Sequence, residues 1–195
     1  PVSKSYLDVT TQVMQDFGAK VWRREYRTFK IGNRHKYVGR EYTIEGDYSS
    51  ASYFFAIAAA CGGTVTVTGL NPASIQGDRF FINVLTAMGC WVTDGENSVT
   101  VSRDGPLHGT TVNMSPSPDS VQTLAVVAAC ADSPTKITGI GHLRFKESDR
   151  LAITAQLLES LGGKVEIKDD SLIINLSGRG DKHVAQVAAL AGDSL

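Results

Sequence analysis

Three times along this chain a helix pattern runs into a glycine and then into a strand, and no other feature constrains the fold as strongly. The segments are "YLDVTTQVMQDFGAKV" (6–21), "DRFFINVLTAMGCWV" (78–92) and "RLAITAQLLESLGGKV" (150–165). Gly18, Gly89 and Gly162 close the three helices, as expected of the residue that takes the left-handed cap just past a last turn.

The two later copies extend further upstream. "SSASYFFAIAAACGGTVTVTGL" (49–70) parallels "DSVQTLAVVAACADSPTKITGI" (119–140), each an apolar helix, a short turn and an alternating strand ending in Thr-Gly. Downstream, "NSVTVS" (97–102), introduced by a "DGEN" turn, parallels "DSLIIN" (170–175). One unit is therefore βαβαββ and about 70 residues long. The expected class is α/β (α+β), built from repeated βαβαββ units. Residues 49–62 and 119–132 are apolar nearly all round, which predicts buried helices.

Two complete units are expected over about 42–105 and 106–176, with a C-terminal helix beyond them. Residues 1–46 hold only the last half of another unit and a connection in which Gly46 is a candidate hinge; residues 47–195 form the larger part. That missing half, with a start at Pro1 inside what reads as structure, predicts a piece of a longer protein.

Composition narrows function by exclusion. The 195 residues carry 19 basic and 20 acidic side chains, a formal charge of −1. A nucleic-acid surface would show as a basic excess or stripe, so no nucleic-acid partner is expected. The longest apolar runs are too short to span a bilayer and no signal segment opens the chain, so no membrane association is expected either. Cys61, Cys90 and Cys130 are odd in number and without a CxxC pair. Two of them end Ala-rich helix patterns, where cysteine is expected to act as a small buried hydrophobe in a reduced, cytoplasmic setting. There is no HExxH, GxSxG, P-loop or GxGxxG, so the common metal, hydrolase, NTPase and dinucleotide readings lack a motif.

Chemistry gathers at helix starts. "RFKESDRL" (144–151) places Arg144, Lys146, Glu147, Asp149 and Arg150 ahead of an apolar helix. Ser148 or Asp149 can cap that helix. Capping leaves Lys146 and Arg150 unexplained, because cations at a helix N-terminus oppose its dipole unless an anion binds there. A Lys and an Arg beside free N–H groups make a pocket for phosphate or carboxylate, and Glu147 between them can exchange protons with a ligand. In "NMSPSPDSVQTL" (113–124), Asp119 or Ser120 either caps the following helix or supplies a carboxylate that orients a hydroxyl and takes its proton. "EGDYSSAS" (45–52) repeats the arrangement, with Asp47 expected as a cap. Ser3, Lys4 and Tyr6 precede the first helix, as a solvated loop or a further anion contact.

Taken together, "SKSYLDVT", "EGDYSSASYFFAIAAACGGTVTVTGL", "QGDRFFINVLTAMG", "PDSVQTLAVVAACAD" and "LRFKESDRL" resemble the enolpyruvyl transferases over most of residues 3–176. The K-E-[ST]-D-R-L pattern is similar to the branch acting on shikimate 3-phosphate. The resemblance implies an inside-out α/β prism of two domains whose helix N-termini face a cleft. It implies transfer of the enolpyruvyl group of phosphoenolpyruvate to the 5-hydroxyl of shikimate 3-phosphate with loss of phosphate, in aromatic amino-acid biosynthesis, without metal or other cofactor. The missing N-terminal part of the same enzyme is then an expected partner, needed for activity.

Carried over by position, Asp119 is implied as the base that meets the shikimate hydroxyls and Glu147 as the second proton-transfer group. Lys146 would contact the shikimate side, Arg150 the phosphoenolpyruvate, and Ser3 and Tyr6 the shikimate phosphate. His142 stands where one branch has a substrate-binding Asn. "GDKH" fits a D-H-R frame with Lys182 and His183 in place of His and Arg, which makes His183 the candidate there. The family's N-terminal lysine, Ser-Ser-Gln stretch and final lysine have no counterpart in these residues. The alternatives are the UDP-N-acetylglucosamine branch and a non-catalytic scaffold of the same fold.

Overall fold

A computed structural model describes residues 4–34 and 36–175. The first 43 residues contribute a helix, α1 (Lys4–Asp16), and a hairpin of β1 (Val21–Arg24) and β2 (Thr28–Ile31). Then come α2 (Tyr48–Cys61), β3 (Gly63–Thr68), α3 (Phe80–Ala87), β4 (Trp91–Asp94) and β5 (Ser98–Arg103). The last run is β6 (Thr111–Asn113), α4 (Val121–Ala129), β7 (Thr135–Thr138), α5 (Arg150–Ser160), β8 (Lys164–Lys168) and β9 (Ser171–Asn175). Short 3-10 turns at Gly77–Arg79, Pro118–Ser120 and Gly141–Phe145 lead towards α3, α4 and α5.

Alternation fixes the sheets. In β5 only Val99 and Val101 are fully buried, facing Val67 and Val65 of antiparallel β3, while Thr66 and Thr100 bond across the outer face at 2.8 Å. Leu172 and Ile174 of β9 do the same opposite Ile137 and Thr135 of β7. The resulting orders are β3-β5-β4 and β6-β7-β9-β8, so the second sheet repeats the first with one added parallel strand, β6. The expected six-element unit is thus complete in the second copy. In the first, residues 42–47 form no strand, and a single backbone bond from Gly46 N–H to the Gly69 carbonyl (2.7 Å) stands in its place. Gly46 is held on its other side too, by the Gln76 amide at 2.9 Å, and a Cβ there would press on the Gly69 carbonyl.

The glycine caps form as expected: Gly18, Gly89 and Gly162 have φ of 90°, 104° and 88°, a region other residues enter only with strain. Between the sheets and helices lies one core, with Phe55, Phe81, Leu85, Leu124, Ile137 and Leu172 fully enclosed. Each such side chain contributes roughly 1.5–3 kcal/mol by leaving water.

Two expectations need correction. α2 and α4 are not buried all round, since Tyr53, Phe54, Ile57 and Val126 are exposed. The two helices pack against each other and the sheets, and among the described residues nothing covers that remaining face. Cys61 and Cys130 are exposed, because each stands at the fraying end of its helix, whereas Cys90, entering β4, is the buried thiol.

Candidate active site at the helix starts

The site assembles where α1, α4 and α5 begin. Asp149 is the cap of α5, accepting from the N–H groups of Leu151 (3.1 Å) and Ala152 (3.0 Å). Its other partner is Arg144, at 3.6 Å, whose guanidinium also reaches the Asp169 carbonyl. Capping and a surface ion pair therefore account for two of the five charges in this turn.

Asp119 behaves differently. Ser120 stands at the cap position of α4, but neither its side chain nor that of Asp119 bonds to the helix's free N–H groups. The Pro118-led 3-10 turn instead aims the Asp119 carboxylate outward, where one oxygen accepts from the Tyr6 hydroxyl at 2.5 Å. The other accepts from Arg150 at 3.0 Å and lies 3.9 Å from the Lys146 ammonium. Arg150 also grips Glu147, at 2.8 Å. Four of the predicted site residues, Asp119, Lys146, Arg150 and Glu147, thus form one charge-alternating cluster, and Tyr6 joins it from the first turn of α1.

The electrostatics follow from these contacts. Burial raises the Asp119 carboxyl's pKa, but the Tyr6 bond and the Lys146 and Arg150 charges outweigh it and leave it below the ordinary 3.8. Glu147 is lowered by its own backbone N–H and by Arg150. Tyr6 is raised by burial, by donating to Asp119 and by the nearby charge of Asp78, so the phenol stays a donor. His142 is lowered by burial and by Lys146. Its Nε2 is shielded from solvent and makes no hydrogen bond among the described residues.

Lys4 is not in the cluster: its ammonium lies 5.2 Å from the Tyr26 ring centre. Ser3 and His183, with the expected C-terminal helix, fall outside the described residues. The sequence reading missed Asp78, which sits beneath Asp119 and is only 7% exposed. A usable signal existed in the repeat, since Tyr6, Gly77 and Arg150 each stand twelve residues ahead of a helix-closing glycine. Among the described residues no group of three His, Cys, Asp or Glu is placed to hold a metal ion. No helix there is long and apolar enough to cross a membrane.

The fold matches enolpyruvyl transferase structures over part of their chains. EPSP synthase from Acinetobacter baumannii superposes with a TM-score of 0.69 at 27% identity, over 87% of this chain and 40% of that one. The enolpyruvyl transferase NikO from Streptomyces tendae shares the fold, with a TM-score of 0.64 at 22% identity. At the level of sequence, the family profile described as EPSP synthase (3-phosphoshikimate 1-carboxyvinyltransferase) matches residues 1–192, and the chain belongs to that family. The 3-phosphoshikimate 1-carboxyvinyltransferase of Methanoregula boonei is 59% identical over 174 residues, covering 89% of this chain and 41% of that relative. Its counterpart in Serratia proteamaculans is 44% identical over 170 residues. The chain spans about two fifths of the length of the curated relatives it matches.

Proposed function

We propose that the protein containing this chain is a 3-phosphoshikimate 1-carboxyvinyltransferase acting in the cytoplasm on shikimate 3-phosphate and phosphoenolpyruvate. On this reading residues 1–46 end one domain of an inside-out α/β prism and residues 47–195 form most of the other. The remaining segments of the enzyme complete the cleft. One observation carries the reading: the Asp119 carboxylate forgoes the capping role open to it and is held by Tyr6 and Arg150, with Lys146 beside it.

The shikimate C5 oxygen bonds to C2 of phosphoenolpyruvate while C3 gains a proton; loss of a C3 proton and of phosphate then restores the double bond. Asp119 takes the hydroxyl proton. It is ionised, as a base must be, but poorly basic while paired with Arg150 and Tyr6. Phosphoenolpyruvate drawing Arg150 away, and the shikimate phosphate drawing Tyr6 away, would raise its basicity as both ligands arrive. Glu147 is the second proton-transfer group, and Lys146 faces the shikimate side. His142, with a free ring nitrogen, and His183 are proposed as further contacts.

Calorimetric titration with shikimate 3-phosphate, then with phosphoenolpyruvate, tests the proposal in the chain and in the intact enzyme. Saturable binding that strengthens with the second ligand is expected, as is turnover of the intact enzyme with loss of turnover but retained binding in Asp119→Asn. Near-normal turnover of that variant would remove Asp119 from the chemistry.

A further inference from the structure

The turn Gly77–Arg79 precedes α3, which contributes no side chain to the cluster described above, yet it lies directly under it. Its Asp78 is buried and forms no ion pair among the described residues. Three hydroxyls hold the carboxylate instead. Ser49 of α2 donates at 2.5 Å to one oxygen, while Ser117 and Ser120 donate at 2.6 and 3.0 Å to the other. Ser117 and Ser120 are the two serines that bracket Asp119.

The neighbouring Gly77 is a contact point for two other elements. A Cβ there would run into the Pro116 carbonyl oxygen and the Ser5 hydroxyl. Ser5 itself reaches that carbonyl at 3.5 Å. Position 77 thus touches α1 one residue before Tyr6 and the chain three residues before Asp119.

A buried carboxylate needs its hydrogen bonds made, because an unmet charge away from water is costly. It therefore constrains whatever supplies the donors. Here the donors are the two ends of the turn that carries Asp119, and both converge on a single oxygen.

We propose that Gly77 and Asp78 form a positioning element for the candidate site, in which Asp78 clamps the Ser117–Ser120 turn so that Asp119 meets Tyr6 and Arg150. Asp78 touches no ligand in this arrangement. It acts through Asp119, and Gly77 keeps the approach of α1 close enough for Tyr6 to reach. An aspartate takes all three hydroxyls as donors, whereas an amide would keep one acceptor oxygen and turn the Ser49 hydroxyl into an acceptor, without the charge that strengthens the bonds.

The proposal extends the reading of Asp119 as a site carboxylate, but its test does not depend on turnover. Carbon-13 NMR titration of the Asp119 carboxyl would be run on the wild-type chain, on Asp78→Asn and on the Ser117→Ala/Ser120→Ala pair. Loosening the turn should weaken the bonds from Tyr6 and Arg150 that hold the Asp119 midpoint down. In the serine pair, which leaves the Asp78 charge in place, the midpoint should therefore rise towards the ordinary aspartate value. Asp78→Asn also removes a neighbouring negative charge, which by itself lowers the midpoint, so a rise in that variant reports the loosened turn all the more directly. An Asp119 midpoint equal to wild type in the folded serine pair would overturn the proposal, whether or not the intact enzyme transfers an enolpyruvyl group. In an active enzyme, the pair should also lower kcat by about tenfold to a hundredfold with little change in the phosphoenolpyruvate KM, as expected of a misaimed group rather than a lost binding contact.

Discussion

The two sheet-bearing units share a topology and part company at their helix starts. In the unit of α2 and β3–β5, Asp47 closes back on its own helix, accepting from the N–H groups of Ser49 and Ser50 at 3.0 and 3.1 Å. In the unit of α4 and β6–β9, Asp119 turns away from its helix to Tyr6 and Arg150. The arginines diverge in the same way. Arg79 runs to Asp94 on its own unit's strand, whereas Arg150 reaches out of its unit's second helix to the start of the first. One copy turns its polar groups to local order and the other joins them to one another across helix starts. A fold already stabilised by its core does not need every cap.

That contrast can be broken or sharpened by measurement. The largest effect should be common to both units: Phe55→Ala and Leu124→Ala each remove a fully buried side chain and should cost about 3–5 and about 2–5 kcal/mol by denaturant unfolding. A loss confined to one of them would mean that the cores do not form a single cooperative body. Next come the two aspartates. Asp47→Ala should lose about 1 kcal/mol, the usual worth of a cap, while leaving ligand titration unchanged. Asp119→Ala should cost less stability than that and change the response to shikimate 3-phosphate; an unchanged response would give the two positions the same local role.

The arginines should differ in kind more than in size. Arg79→Ala removes a half-exposed pair worth under about 1 kcal/mol. Arg150→Ala, measured by ligand-induced thermal shift, should lose the shift produced by phosphoenolpyruvate. The smallest effect should appear on the acid limb. Asp47 and Asp119 both have folded pKa values below 3.8, so their contributions are complete above that value and disappear as pH falls through the depressed folded values. Asp47→Asn and Asp119→Asn should therefore each flatten the decline in melting temperature below about pH 4. An unchanged acid limb in either would mean its carboxylate is not held as described.

How much of this was written in the chain depends on distance along it. Helices closed by Gly18, Gly89 and Gly162, and the strands after them, follow from local chemistry and were legible. The pairing of KESDRL with Asp119 came from the resemblance, since 31 residues separate Arg150 from its partner. Tyr6 stands 113 residues from Asp119 and Ser117 39 from Asp78, and beyond the shared register of Tyr6, Gly77 and Arg150 in the repeat nothing local announces such a meeting. The error over α2 and α4 has a related cause: apolar composition says that a face needs cover, not which segment supplies it. Asp78, fed only by serines, left no charge pattern in the sequence, and only the repeat register of Gly77 pointed to its place.

The bond between Tyr6 and Asp119 has a consequence for recognition. On the proposed function a ligand would not enter an open cradle, because Asp119 already accepts from Tyr6 and Arg150, and Arg150 already donates to Glu147. Its hydroxyl would compete with the phenol for Asp119 and its anion with the two carboxylates for Arg150, so association would be largely an exchange in which bonds are traded rather than added. A compound bearing only the hydroxyl, or only the anion, would leave one displaced partner stranded. Discrimination then falls on molecules, or pairs of molecules, that make both replacements at once, and the protein's own contacts serve as the competitor each of them has to beat.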